Sequence, residues 1–216
     1  MDPAEDEKRA AAEAAALLAE DGMTVGLGTG TTVAHFFPAL ARRRLSITCV
    51  ATSPATEAAA AALGLKVDRF DAIDRIDLAV DGADQVTPDM WLVKGRGGAQ
   101  TREKIVAAAA DRFVVIVSQD KLVEALEPPV PLEVLPFGLG ATIRTLSELG
   151  PVTRRDGVTA DGNILLDFLG PVDDAATLTA KLDAVPGMVG HGIFPPDLVS
   201  EVIVGRGEGR ADRLSR

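Results

Sequence analysis

Short apolar runs of strand length alternate with helix-type segments over the first 120 residues, and this alternation most constrains the fold. The runs fall at residues 23–28 (MTVGLG), 45–50, 66–70, 76–80 and 112–117. Between them lie helix-type segments, including 54–63 and 98–110. Parallel strands need a crossover of a dozen residues or more, usually a helix, so the pattern predicts an α/β fold. The expected core is an open, mostly parallel, Rossmann-like sheet with helices on both faces. Local punctuation agrees. Asp2 can cap the first helix, Pro3 suits its first position, and Gly22 is read as its end. Ser53 and Pro54 open the 54–63 helix, and Gly64 closes it.

The texture changes at Pro128-Pro129-Val130-Pro131, a proline cluster read as a domain boundary. Beyond it, strands at 132–135, near Val152, at 163–168 and at 188–193 interleave with helices at 140–149 and 173–182. That βαββαβ order predicts a smaller ferredoxin-like α+β module. A strand at 199–204 is read as returning to the first sheet, and the tail GRGEGRADRLSR has no apolar periodicity. The expected division is therefore 1–128 with 199–216 as a Rossmann-like catalytic domain, and 129–198 as the small domain.

Composition sets limits on function. A formal net charge of −10 argues against general binding to a nucleic-acid backbone. A small anionic substrate then has to be attracted locally, by a few cations and backbone N–H groups. One cysteine, Cys49, permits no internal disulfide and, with no secretory signal, points to a reducing cytoplasm. The alanine-rich start is heavily charged and reads as a mature helix rather than a targeting segment, and no run approaches membrane-spanning length. One cysteine and two histidines give no metal-ligand spacing, and no cofactor is expected. His35 and His191 are read as core or surface histidines.

The chemistry-bearing groups gather in residues 77–104, DLAVDGADQVTPDMWLVKGRGGAQTREK. A buried-type strand runs into Asp81-Gly82-Ala83-Asp84. A second apolar piece runs into Lys94, followed by Gly95, Gly97 and Gly98, and then by a helix carrying Glu103. Each group has an ordinary structural explanation: the aspartates as turn or capping residues, Lys94 as a solvated strand end, Glu103 as an acid favoured by the helix dipole. Together they place four ionisable groups around two strand ends, where open α/β sheets bind ligands. Upstream, GLGTGTT (26–32) joins a strand to a helix, and the backbone of Thr29, Gly30, Thr31 and Thr32 there can hold a phosphate. It is neither a P-loop nor a dinucleotide fingerprint, because no lysine follows its last glycine and its glycine spacing is too short. The alternative is a tight strand-to-helix turn. Lys121, two residues after the 112–117 strand and Ser118-Gln119, would emerge at the same sheet edge as a second phosphate cation.

These pieces resemble the A-type ribose-5-phosphate isomerases: GLGTGTT, TSPATE (52–57), DGAD (81–84), KGRGGAQTREKIV (94–106), SQDK (118–121), PLEVLPFG (131–138), DGNILLD (161–167) and PGMVGHGIF (186–194). The resemblance implies a two-domain subunit that forms a homodimer or homotetramer, with the small domain in oligomerisation. It also implies a metal-free site interconverting ribose 5-phosphate and ribulose 5-phosphate. Family roles then fall on Asp81, Asp84, Lys94 and Glu103 as the catalytic set, with Glu103 as base. Thr31, Thr32, Lys121 and Lys8 match phosphate-contacting positions, and Gly95, Gly97 and Gly98 match the glycine loop. The chain departs from the family's usual residues at Gln85, Arg96 and Gln100. The rival from another class is a non-catalytic sugar-phosphate sensor of the same fold. An aminosugar-phosphate deaminase or a CoA-transferase-like enzyme is a further enzymatic alternative.

Overall fold

The computed structural model describes residues 2–215. Met1 and Arg216, the ends of the expected larger domain, lie outside the described residues. Contacts divide the chain into two compact units. The first comprises residues up to Ala83, Arg102–Leu122, and Asp197 onward; the second comprises Asp84–Thr101 and Val123–Pro196.

The first unit opens with α1 (Pro3–Ala16), capped by the Asp2 side chain, which accepts a hydrogen bond from the Ala4 N–H. It continues with β1 (Thr24–Leu27), α2 (Val33–Arg42), β2 (Thr48–Ala51), α3 (Pro54–Ala62) and β3 (Leu78–Asp81). In the second unit come β4 (Gln85–Val86) and β5 (Leu92–Val93); α4 (Gln100–Ala108) then leads back to β6 (Phe113–Ser118) of the first. The second unit resumes with β7 (Val130–Val134), α5 (Leu139–Leu149), β8 (Val152–Val158), β9 (Ile164–Phe168), α6 (Ala175–Asp183), β10 (Met188–His191) and β11 (Ile193–Phe194). Finally β12 (Glu201–Arg206) and β13 (Arg210–Leu214) complete the first unit.

The first unit's six-stranded sheet has the order β13-β12-β6-β3-β1-β2 and is parallel except for β13. Its inner strands β3 and β6 are buried at every position, as continuous apolar runs predict for a sheet covered on both faces. Helices α1 and α2 pack together, and α1 also covers β6 and β12. Alanines 11, 12, 15 and 16 of α1 join Phe36 and Leu40 of α2 and Val114, Ile116 and Ile203 of the strands in one buried core. Small side chains let α1 approach closely. At Gly205 the approach is so tight that a Cβ would overlap the Glu7 backbone carbonyl. Cys49 lies within this core, where burial pushes its thiol up to about 12 and keeps it protonated.

The second unit has the βαββαβ order read from the sequence. Its four-stranded antiparallel sheet runs β10-β7-β9-β8 over a core of Leu132, Val134, Leu146, Leu166, Phe168 and Leu182. A three-stranded sheet, β11-β5-β4, lies in the same unit.

Three expectations are corrected. The first helix ends at Ala16, not at Gly22; Gly22 instead takes φ +86° in the turn before β1 and donates its N–H to Ser46 O. Residues 66–70 form no strand. Val67 makes an isolated bridge to Cys49 beside the edge strand β2, and the chain then turns at Phe70–Ala72, with Asp68, Arg69 and Asp71 too charged to be buried there. The tail, read as featureless, supplies β13. Glu208 (φ +63°) and Gly209 (φ +69°) turn it back on β12, and an Arg206–Asp212 ion pair of 2.8 Å joins the hairpin. β13 is mostly exposed, so its pairing leaves no hydrophobic alternation to read. The reading of 199–204 as a return to the first sheet holds, since β12 pairs in parallel with β6.

Gly205→Ala is expected to lower unfolding stability by about 1–3 kcal/mol, the usual cost of overpacking. Urea denaturation of the variant checks this, and an unchanged midpoint would mean that α1 has slack over β12.

Candidate active site

The parallel strands of the first unit present their carboxyl ends at one edge, so the residues that follow them share it. Asp81, only 3% exposed, is the last residue of β3. Its Oδ1 accepts hydrogen bonds from the Thr29 N–H (3.1 Å) and the Gly82 N–H (2.7 Å). Hydrogen bonds to a charged group contribute about 1.5–3 kcal/mol each. The space for this carboxyl exists because Gly28 has no side chain, since a Cβ there would overlap the Asp81 side chain. One glycine of the GLGTG run therefore serves the aspartate.

Glu103 lies in the first turn of α4 and is 3% exposed. Three residues on, Val106 packs over β1 and β3, and a Cβ on Gly26 would stand 2.6 Å from Val106 Cγ1 and 3.1 Å from Ala79 Cβ. The helix leads into β6, so it runs against the strands and points its N-terminus toward their carboxyl ends. Glu103 precedes Val106 by about 4.5 Å of helical rise. Asp81 follows Ala79 by about 6.6 Å of strand. The two carboxyl residues thus occupy the same edge of the first unit.

The GLGTGTT loop is cross-linked rather than open. Thr29 Oγ1 lies 2.9 Å from each of the hydroxyls of Thr52, Ser53 and Thr56. Thr56 Oγ1 donates to Gly28 O (2.9 Å) and Thr52 Oγ1 to Leu27 O (3.1 Å). Ser53 also accepts the Thr56 N–H as the α3 cap. Gly30 and Thr31 are exposed; Thr32 is buried at the α2 N-cap, where its side chain makes no capping bond. Among the sequence-predicted residues of this loop, Thr29 is therefore committed to structure.

Lys8 and Lys121 stand near one corner of the first unit. Glu7 accepts the Gln119 N–H (2.9 Å) and side-chain Nε2 (2.7 Å), which ties the start of α1 to the turn Gln119–Lys121. Each lysine has an acidic partner: Lys8 donates to Glu5 (2.7 Å) and Lys121 to Asp120 (2.8 Å). Hydrogen bonds from Lys8 and then His35 hold the Glu5 carboxyl below the usual range. Burial opposes ionisation of Asp120, but hydrogen bonds from Lys121 and Ser118 outweigh it and its pKa is lowered. Each lysine is partly buried but its acidic partner faces solvent, so a phosphate dianion can compete for both cations. His35 bonds Glu5 at 3.0 Å. His191, 1% exposed, accepts the Ile193 N–H at Nδ1 and faces Asp183 at Nε2, both at 3.2 Å.

The second unit carries the other two members of the set. In the small sheet Gln85 pairs with Val93 and Ile193 with Val93, so one step further Asp84 and Gly192 flank Lys94. Backbone bonds extend that register: Asp84 N–H to Val93 O (2.8 Å) and Lys94 N–H to Gly192 O (2.8 Å). Lys94 is 2% exposed, and its ammonium lies 5.4 Å from the Phe194 ring centroid. A cation over a ring is worth about 0.5–2 kcal/mol, which offsets part of the cost of burying a charge. Gly95, at φ +101°, turns the chain into a closed loop through a Gly98 N–H···O Gly95 bond of 2.9 Å. Asp84 Oδ2 accepts the Arg96 N–H at 3.1 Å. Among the described residues no cluster of three or more His, Cys, Asp or Glu side chains is placed to hold a metal ion.

Each unit thus carries two of the predicted residues: Asp81 and Glu103, both buried, in the first, and buried Lys94 with partly buried Asp84 in the second. Comparison with known proteins gives the family. Residues 48–209 match the family model described as ribose 5-phosphate isomerase A (phosphoriboisomerase A). The chain belongs to that family. It is 44% identical over 205 residues to a ribose-5-phosphate isomerase A from Nitrobacter hamburgensis, covering 87% of this chain and 88% of the relative. The solved ribose 5-phosphate isomerase A of Methanocaldococcus jannaschii superposes with a TM-score of 0.91 at 35% identity, over 97% of this chain and 98% of that one. A D-ribose-5-phosphate isomerase solved in complex with phospho-erythronic acid gives 0.90 at 38% identity, with 97% of each chain covered.

Within this family member the three departures have defined places. Gln85 exchanges hydrogen bonds with the Glu127 backbone, both 2.8 Å, inside the second unit. Arg96 is exposed, with its Nε 3.8 Å from Asp84 Oδ1. Gln100 is fully buried against Gly95, and neither of its amide atoms has a hydrogen-bond partner. The sequence reading missed Phe194, the Thr52–Ser53–Thr56 hydroxyls and Arg155, whose Nη1 donates to Gly95 O at 3.0 Å. Only the hydroxyls left a trace, in the TSPAT run.

Thr29→Val is expected to cost about 1–3 kcal/mol by stranding partly buried hydroxyls. Thr29→Ser should restore most of it, and chemical denaturation of both variants distinguishes a hydroxyl effect from a packing effect.

Proposed function

We propose that this chain interconverts ribose 5-phosphate and ribulose 5-phosphate through a cis-enediolate, without a metal ion, in the non-oxidative branch of the pentose phosphate pathway. Family membership supports the substrate and the reaction class. The observation that carries the mechanism is the burial of two carboxyl residues, Asp81 and Glu103, at one sheet edge.

In the aldose-to-ketose direction Glu103 removes the C2 proton, and the C–H electron pair forms the C1=C2 double bond as the C1 carbonyl becomes an oxyanion. The C2 hydroxyl proton passes to the C1 oxyanion, and the same carboxylic acid returns its proton to C1, leaving a C1 alcohol and a C2 ketone. Lys94 and the N–H groups of the Gly95–Gly98 loop stabilise the oxyanion, an effect of about 3–4 kcal/mol per donor in comparable sites. Asp81, with Asp84, carries the hydroxyl proton and assists opening of the sugar ring. Thr31, Thr32, Lys121 and Lys8 hold the phosphate, fixing the far end of the substrate so that C1 and C2 meet the base. Ion pairing leaves both lysines available, as argued above. The active form is proposed to be a homodimer or homotetramer in the cytoplasm.

Glu103→Gln is expected to lower kcat by at least about 100-fold, the lower end for loss of a positioned general base. Binding of inorganic phosphate should stay at the wild-type value. A coupled assay of ribulose 5-phosphate formation with and without chelator, run beside phosphate calorimetry, checks this. Near wild-type turnover in the variant would remove Glu103 from its role, and loss of wild-type turnover in chelator would end the metal-free reading.

A further inference from the structure

The glycine loop that follows Lys94 is gripped from the second unit's own sheet. Arg155 sits in β8 just where its pairing with β9 loses register, between Arg154 and Val158. Such irregularities re-aim a side chain out of the regular alternation. Its Nη1 donates to Gly95 O at 3.0 Å, and its Nε donates to Asp167 Oδ2 of β9, also at 3.0 Å. Both side chains are about four-fifths buried, with 21% and 19% exposed. Gly95 O is also the acceptor that closes the loop through the Gly98 N–H. Two donors therefore converge on one carbonyl, one from inside the loop and one from outside.

Asp84 Oδ2 also accepts the Arg96 N–H in the middle of the loop, and the packing around Gly98 and Gln100 gives shape rather than further hydrogen bonds. A Cβ on Gly98 would stand 2.8 Å from Leu165 Cδ1, so this side of the loop rests on an apolar chain of β9. The amide of Gln100, buried against Gly95, contributes no hydrogen bond. A loop with two positive-φ glycines, Gly95 and Gly98, has many alternative conformations open to it. Holding its N–H groups toward a developing oxyanion requires a tie that fixes peptide orientation. A guanidinium has that property, because its planar fork is itself oriented by a carboxylate.

We propose that Arg155, oriented by Asp167, is a positioning residue for the isomerisation: it fixes the Gly95 peptide, and with it the donors of the Lys94–Gly98 loop. This rests on the isomerase reading given above. Arg155 does not touch the substrate. It acts through the loop, so its loss should weaken stabilisation of the enediolate more than capture of the phosphate.

The test compares wild type with Arg155→Met, Arg155→Lys and Asp167→Asn. For Arg155→Met, kcat should fall about 10- to 100-fold, the scale of a small misplacement in a catalytic constellation. Affinity for phospho-erythronic acid, whose carboxylate imitates the planar intermediate, should fall in parallel, while affinity for inorganic phosphate should not change. Arg155→Lys, which keeps charge but not the fork, should recover only part of the loss, and added ethylguanidine should partly rescue Arg155→Met. Asp167→Asn should shift the same quantities in the same direction by less. Amide hydrogen exchange over residues 94–101 should quicken in Arg155→Met relative to the rest of the chain. A variant with lower melting temperature but wild-type kcat and wild-type preference for phospho-erythronic acid over phosphate would overturn the proposal. Unchanged exchange over 94–101 would do the same. Absence of turnover in wild type would instead sink the isomerase reading, and the exchange measurement would still decide whether Arg155 restrains the loop.

Discussion

A carboxylate buried at the end of a parallel strand must be compensated, and the way Asp81 is compensated organises the first unit. Two backbone N–H groups bind it, from Thr29 on the neighbouring strand's loop and from Gly82. The bare α-carbon of Gly28 makes the space. Those requirements fix the path of the β1 loop, and the Thr29 hydroxyl then ties that loop to the start of α3 through three further hydroxyls. Removal of one partner from a buried charged group costs several kcal/mol, a large part of a typical domain's total stability. Rigidity at this edge is therefore a by-product of satisfying one charge.

The second unit answers the same problem for a cation. Lys94 is buried in a sheet of very short strands, where its backbone is fixed by Gly192 and its ammonium stands by the Phe194 ring. A lysine so held, beside a turn whose carbonyl is clamped and whose Arg96 N–H is taken by Asp84, has few conformations left. In the proposed chemistry this matters more than the charge itself, because preorganised donors need no reorientation as the oxyanion forms.

How far these features were legible depended on how local their causes are. The α3 helix was readable from Ser53, Pro54 and Gly64 because its capping bond spans three residues, and the structure keeps it: Ser53 Oγ accepts the Thr56 N–H and Gly64 has φ +79°. The β3 and β6 strands were readable because continuous apolar runs of strand length have few other uses. The βαββαβ order of the second unit followed from the same two periodicities. By contrast β13 owes its place to a turn at Glu208 and Gly209 and to backbone pairing, with no apolar face to announce it. The strand expected at 66–70 failed because its single bridge, Val67 to Cys49 of the edge strand β2, is followed by the adjacent charges Asp68 and Arg69 and by the turn at Phe70–Ala72. The four residues of the proposed catalytic set were found because they cluster within 23 positions of sequence, from Asp81 to Glu103. Phe194 and Arg155 lie 100 and 61 positions from Lys94, and nothing in a linear pattern connects them to it.

The central claim is that one carboxylate moves a proton, rather than a hydride, between adjacent carbons. It is tested most directly with ribose 5-phosphate carrying deuterium at C2, turned over by the wild-type protein in ordinary water and followed by NMR of the ribulose 5-phosphate formed. A single base that is open to exchange with solvent predicts that only a fraction of the deuterium reaches C1 and the rest is lost to water. Complete transfer of the label to C1, with none lost at any extent of reaction, would mark a direct hydride shift and contradict the account.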